Sequence, residues 1–168
     1  MERVVITGMG IVSPIGNNIQ TFWNNLINGE SGISTIDTFD VTNHKAKIAG
    51  IVHDFDADEV LGKNEARRLD RFSQFALAAA EQAWVDSKLV LDRIDVERLG
   101  VYVGSGIGGM ETLIENIDVL RQKGPRRVSP TLVLPLFLML LQHRLVSSGT
   151  QWDLLCRPFP LVQLEIQL

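Results

Sequence analysis

The 168 residues contain one cysteine, Cys156, one tyrosine and three histidines. A single thiol excludes an intramolecular disulfide framework and any cysteine-built zinc site. No stretch is long enough to cross a bilayer. The longest apolar run, residues 132–141, is 10 residues with Pro135 inside it, about half of the ~20 that a span needs. No excess of positive charge is present either. Sixteen Lys and Arg stand against 20 Asp and Glu, a net charge of −4. That balance removes a general pull towards nucleic acid or anionic membrane. Met1-Glu2-Arg3-Val4 runs straight into strand-like sequence, so the expectation is a cytoplasmic protein with no secretory leader. What the chain does have is 45% hydrophobic residues, enough for a real core in one domain of ordinary size.

Composition changes along the chain. Residues 134–168 hold 11 of the 21 leucines, no alanine, no lysine, no asparagine and one glycine, Gly149. The first 133 residues hold all nine alanines and 13 glycines. A domain boundary ordinarily shifts towards polar or Gly/Pro-rich linker. This shift runs towards leucine with neither a helical nor an alternating period. The expected division is therefore 1–133 as the folded portion and 134–168 as an unmatched leucine-rich tail.

The first 133 residues alternate between strand-like and helical patterns. Residues 3–7 form a short β-branched run closed by Gly8 and read as a buried strand. Gly8, Gly10, Pro14 and Gly16 make a long turn. Asn17 or Asn18 can cap a helix whose Phe22, Trp23, Leu26 and Ile27 share a face, with Gly29 and Gly32 after it. Residues 47–52 suggest a strand, followed by the acidic loop positions Asp54, Asp56, Asp58 and Glu59. Residues 71–87 read as a strong helix, its face built from Phe72, Phe75, Ala76, Ala79, Ala83 and Trp84. The alanines let another element approach closely. Residues 99–103 read as a further strand and 110–122 as a helix with Leu113, Ile114, Ile117 and Leu120 in step. Helices between β-branched strands point to a layered α/β fold with crossover connections.

Four sets of residues could carry chemistry. Gly104-x-Gly106-x-x-Gly109 lies between a strand and a helix, the setting of a dinucleotide-binding loop. Such a loop also wants an acid about 20 residues on, where this chain has Lys123-Gly124-Pro125-Arg126-Arg127. His44, His53 and His143 have no HxH or HxxxH spacing and read as solvated side chains. Cys156 has Arg157 beside it to lower a thiol pKa but no neighbouring base to orient it. Two basic clusters, Lys63/Arg67/Arg68 and Arg121/Lys123/Arg126/Arg127, stand out against the negative total. They suit either an acidic partner or simply the ends of helices.

The opening Val4-Val5-Ile6-Thr7-Gly8-Met9-Gly10-Ile11-Val12-Ser13-Pro14-Ile15-Gly16 resembles that of the β-ketoacyl-[acyl-carrier-protein] synthases, in particular the type II branch. So do Gly29-Glu30-Ser31-Gly32-Ile33, Arg68-Leu69-Asp70-Arg71-Phe72, the 104–109 loop and Pro125-Arg126-Arg127-Val128-Ser129-Pro130. These segments occur in the expected order from residue 1 to about 133. The resemblance implies the N-terminal portion of a thiolase-like αβαβα layered fold, a homodimer, no cofactor and no metal. The implied activity is acyl transfer followed by decarboxylative condensation with malonyl-carrier protein in fatty acid synthesis. By position, Ile107 matches the residue lining the acyl pocket. Lys63, Arg67, Arg68, Arg126 and Arg127 match the surface that docks acyl carrier protein. On that resemblance the glycine loop becomes backbone architecture near the acyl pocket.

The resemblance stops after Val133. The family continues to a nucleophilic cysteine in an Ala-Cys-Ala-Thr/Ser-Gly setting, and later to two histidines and a lysine. Leu155-Cys156-Arg157-Pro158 is not that setting, so no catalytic residue is assigned. Read from the third base of each codon, residues 160–166 permit Ala-Cys-Ala-Thr/Ala-Gly-Asn/Asp, and 137–143 permit Pro-Asn-Ala-Ala-Ala-Ala. The expectation is that the tail is an out-of-frame translation and that the 168-residue chain is inactive as an acyltransferase. Two alternatives are a non-catalytic ketosynthase-like partner subunit and a nucleotide-binding module on Gly104–Gly109.

Overall fold

The computed structural model describes residues 3–67, 69–90, 93, 104–105 and 108–128. Within them, Asn18 opens helix α1 (Ile19–Ile27) by accepting the Thr21 N–H at 2.9 Å, which satisfies one of the donors a helix leaves unpaired at its start. The helix ends on Gly29, at φ +72°. There Gly29 N–H donates to Leu26 O at 3.1 Å and Glu30 N–H to Asn25 O at 2.9 Å. This paired bonding needs a left-handed residue, which glycine supplies without a Cβ clash. Asn25 also donates to Ile15 O at 2.6 Å and fixes α1 to the Ser13–Gly16 turn.

Strands β1 (Ile33–Thr35) and β2 (Ile48–Gly50) pair antiparallel in the register Ile33↔Gly50, Ser34↔Ala49 and Thr35↔Ile48. The strand expected at 47–52 is thus present and shorter. Asp56 then caps the short α2 (Ala57–Leu61), accepting from the Asp58 and Glu59 N–H groups at 2.8 and 3.2 Å. Gly62, at φ +81°, turns the chain into α3 (Lys63–Ala66).

Helix α4 (Arg71–Ser87) is the scaffold of the described portion. It coincides with the helix expected from the sequence. Its most buried positions are Ser73, Leu77 and Ala78, and the residues of the expected face are all half-buried. The N-terminal segment lies directly on its alanines. A Cβ built at Gly10 would fall 1.9 Å from Ala79 O, and one at Gly8 would fall 2.2 Å from Ala83 O. Polar side chains of α4 hold the segment there. Asp86 accepts the Met9 N–H at 3.0 Å, and Gln82 accepts the Ile11 N–H at 3.1 Å while donating to Asn17 O at 2.8 Å.

Residues 3–7 do not form the strand expected of them among the described residues. A β-branched run becomes a strand only where a neighbour pairs with its backbone, and no described segment pairs with it. Val4, Val5 and Ile6 are 98, 73 and 80% exposed. Trp23 and Ile27 on α1 are likewise exposed. Helix α5 (Met110–Lys123) begins at the buried, left-handed Gly109 and leads through Gly124 into a 3-10 turn at Pro125–Arg127. It runs one residue beyond the helix expected at 110–122, and its Ile114 and Leu120 face solvent. The strand expected at 99–103 lies outside the described residues, as does the tail. No helix among the described residues is long and apolar enough to cross a membrane.

Candidate functional site

Of the basic residues singled out in the sequence, Arg121 and Lys123 lie exposed in the last turn of α5, and those matched to carrier-protein docking include two exposed pairs. Lys63 and Arg67 lie one helical turn apart, with Arg67 N–H donating to Lys63 O at 3.4 Å. Side chains four residues apart share a helix face, so the two charges project together. Arg126 and Arg127 are adjacent in the 3-10 turn after α5, and Arg127 N–H donates to Gly124 O at 3.2 Å. Among the described residues, none of these four side chains is engaged in a hydrogen bond or ion pair. Arg68 lies outside the described residues.

Arg71 shows what an arginine used for architecture looks like in the same neighbourhood. Its guanidinium lies 4.9 Å from the Phe55 ring centre and 4.8 Å from that of Phe75. Both terminal nitrogens donate to Phe55 O at 3.3 Å. Set against two rings that meet edge-on with centres 5.1 Å apart, that exposed cation is engaged by its own fold, whereas Lys63, Arg67, Arg126 and Arg127 have no such partner among the described residues.

An open groove of about 720 Å³ runs beside Arg67. Residues 53–59 form one wall, and Ala66, Arg67, Arg71 and Gln74 form the other. The floor of the basic turn is held by Gln74, whose amide nitrogen donates to Ala66 O at 2.9 Å and to Leu69 O at 3.0 Å. Sequence reasoning did not single out this glutamine, because a polar helix residue reads alike whether it meets water or a neighbouring backbone.

The glycine loop is used for packing where it is described. A Cβ at Gly108 would sit 2.7 Å from the tip of the Phe72 ring, so the loop backbone rests on that ring. Asp70, at the start of α4, accepts a hydrogen bond from the Thr112 hydroxyl in the first turn of α5. The RLDRF segment therefore grips both the loop and the helix that follows it. Ile107, expected at an acyl pocket, lies outside the described residues.

Among the described residues, the histidines and acids have structural partners instead of one another. His44 packs edge-on against Phe39, with ring centres 5.9 Å apart, and His53 shares a hydrogen bond with the Ser34 hydroxyl at 3.1 Å. Among the described residues, no group of three His, Cys, Asp or Glu side chains could hold a metal ion. The carboxyl of Asp40 is held below its ordinary range by hydrogen bonds from the Thr42 hydroxyl and backbone N–H. Cys156 and His143 lie outside the described residues.

Residues 1–138 match the family described as Beta-ketoacyl synthase, N-terminal domain. A 3-oxoacyl-[acyl-carrier-protein] synthase 2 of Vibrio harveyi is 46% identical over 132 residues, covering 79% of this chain and 32% of the relative. The synthases of the same name from Staphylococcus aureus (strain COL) and a Synechocystis strain are 46% and 42% identical over the same length, with the same coverage. The chain thus spans about a third of the length of these curated relatives. Among solved structures it superposes on a type II polyketide ketosynthase in complex with its acyl-carrier protein. That match has a TM-score of 0.72 and 25% identity, covering 94% of this chain and 40% of the other. On the ishigamide ketosynthase/chain length factor the TM-score is 0.73 at 25% identity, covering 84% of this chain and 36% of the other.

Proposed function

The chain belongs to the β-ketoacyl synthase family, with the N-terminal portion of a thiolase-like α/β fold, and on that footing we propose what it does. Residues 1–133 are the N-terminal part of a 3-oxoacyl-[acyl-carrier-protein] synthase of fatty acid synthesis. Their surface docks the acidic carrier protein through Lys63, Arg67, Arg68, Arg126 and Arg127. The whole enzyme takes an acyl chain from one carrier protein onto a cysteine thiolate, then condenses it with malonyl-carrier protein as carbon dioxide leaves. It acts as a homodimer, and Ile107 lines the acyl pocket.

The observation that carries the docking part is the placement of charge. In a chain of net −4, two exposed basic pairs have no partner among the described residues, while Arg71 close by lies against Phe55 and Phe75. Cations left in water opposite an acidic helix steer association and set its orientation. The solved complex of a ketosynthase with its acyl-carrier protein supports the choice of partner. Identities of 42–46% to synthases named for the condensing enzyme favour that reading over a non-catalytic partner subunit. Phe72 beneath Gly108 favours a packing role for the glycine loop over a phosphate cradle.

The 168-residue chain on its own does not condense substrates. A condensing enzyme needs a thiolate nucleophile and separate groups that stabilise the developing carbanion, and the only cysteine, Cys156, is set in Leu-Cys-Arg-Pro. Residues 134–168 are read as an out-of-frame translation of the segment that carries the nucleophile. The test of the docking part is a titration with purified acyl carrier protein, repeated after Arg67→Glu and Arg127→Glu. Loss of binding in both variants supports it, and unchanged binding in both removes it.

A further inference from the structure

We infer that Gln74 is a positioning residue for Arg67, acting on carrier-protein docking without touching the partner. This rests on the docking surface proposed above. Gln74 stands in the first turn of α4, half-buried. A primary amide carries two N–H donors, and here they go to Ala66 O and Leu69 O. Those carbonyls begin and end the turn that joins α3 to α4. Leu69 N–H closes the same turn on Ala66 O at 3.4 Å. Arg67 lies inside it.

Ala66 anchors the turn from beneath, at 5% exposed. Arg67 has no side-chain partner among the described residues, so the backbone of the turn sets where its charge is presented from. Gln74 ties that backbone to α4, in addition to the bonds within the turn from Arg67 N–H to Lys63 O and from Leu69 N–H to Ala66 O. It also borders the same groove as Arg67. Being uncharged, it adds nothing to the long-range attraction of an acidic partner. Gln74→Met keeps the length and the apolar stem of the side chain and removes both donors. The turn then loses its two outer restraints, and Arg67 spends part of its time away from the docking geometry.

The test is a double-mutant cycle on the full chain, read as affinity for purified acyl carrier protein. Arg67→Ala weakens binding about tenfold, the size expected of a charge at a complementary surface. Gln74→Met weakens it about threefold, as for the loss of modest hydrogen bonds. Coupling then distinguishes positioning from general damage. Gln74→Met costs the same threefold in an Arg127→Ala background and nothing further in an Arg67→Ala background. An equal loss in both backgrounds, or no loss in the unsubstituted chain, overturns the inference while the docking surface stands. If Arg67→Ala itself leaves affinity unchanged, the docking role of Arg67 falls, and the positioning role falls with it. Should Gln74→Met fail to fold, Gln74→Asn serves in the same cycle, since it keeps the amide but draws it back by one methylene.

Discussion

The hydroxyl of Thr112 donates to the carboxylate of Asp70 across 42 positions of sequence, tying the start of α4 to the first turn of α5. Asp70 occupies the N-cap position of α4 yet caps nothing with its side chain. Its carboxylate is spent on the tertiary contact instead. The second oxygen, Oδ2, is buried without a partner among the described residues, so the Thr112 bond is what compensates that acid. Removing the donor and leaving the acceptor costs more than an average hydrogen bond contributes. Thr112→Val is expected to lower stability by about 1–3 kcal/mol, and Thr112→Ser, which keeps the hydroxyl, by much less. Urea unfolding of the two variants checks this, and equal losses would show that the hydroxyl is not what matters.

Glycine is required at Gly10 by space and at Gly29 by backbone angle, and the two requirements differ in size. A methyl at Gly10 meets Ala79 O at 1.9 Å, and that carbonyl belongs to the backbone of α4. Gly29 has nothing within 4 Å and a φ of +72°. Gly10→Ala must therefore push the N-terminal segment off the helix. The expected cost is about 3 kcal/mol, at the upper end of overpacking. Gly29→Ala carries only the left-handed penalty of about 1–2 kcal/mol. The order of the two midpoints in thermal or urea unfolding tests it.

Thr42 sets the titration of Asp40. Its hydroxyl and N–H both donate to the carboxylate and hold the pKa down. A carboxyl depressed in the folded state stabilises the fold above its unfolded pKa, and that contribution fades as pH falls through the depressed value. Thr42→Val removes the hydroxyl, the larger cause. The Asp40 pKa is then expected to rise towards the ordinary carboxylate range while the backbone bond remains. A side-chain carboxyl NMR titration reads the shift directly, and an unmoved pKa would refute it.

Elements whose signals are local were legible in the sequence. Helix α4 keeps its expected bounds, with a helix-favouring alanine-rich centre. Helix α1 follows from the Asn18 cap and the glycine at 29, both visible without tertiary information. The close approach to the alanines of α4 was also legible, and Gly8 and Gly10 complete it. What was not legible is how α4 holds its neighbours. Gln74, Gln82 and Asp86 look like ordinary solvated positions in a helix, and only the fold shows that they bond the backbone of 66–69 and of 9–17. The 3–7 segment differs from its expected strand for the converse reason, since pairing depends on a partner that local sequence does not specify. At the candidate site, the basic pairs were visible as charge against a negative background. That Arg71 lies against two rings while Lys63 and Arg67 have no partner among the described residues was not.

The out-of-frame reading of the tail makes a prediction at single-base level. A cysteine codon across the junction of Leu161 and Val162 requires TGT from the last base of one and the first two of the other. The leucine codon at 161 is then expected to be CTT. Reading the coding DNA decides it, and any other leucine codon there ends the proposal.

The carrier-protein titration tests the central claim most directly. The affinity of the full chain for purified acyl carrier protein is measured at low and at high salt, with and without Arg67→Glu and Arg127→Glu together. The account predicts binding that weakens as salt screens exposed charge and is abolished by the double reversal. Absent binding, or binding indifferent to both salt and the reversal, would contradict it.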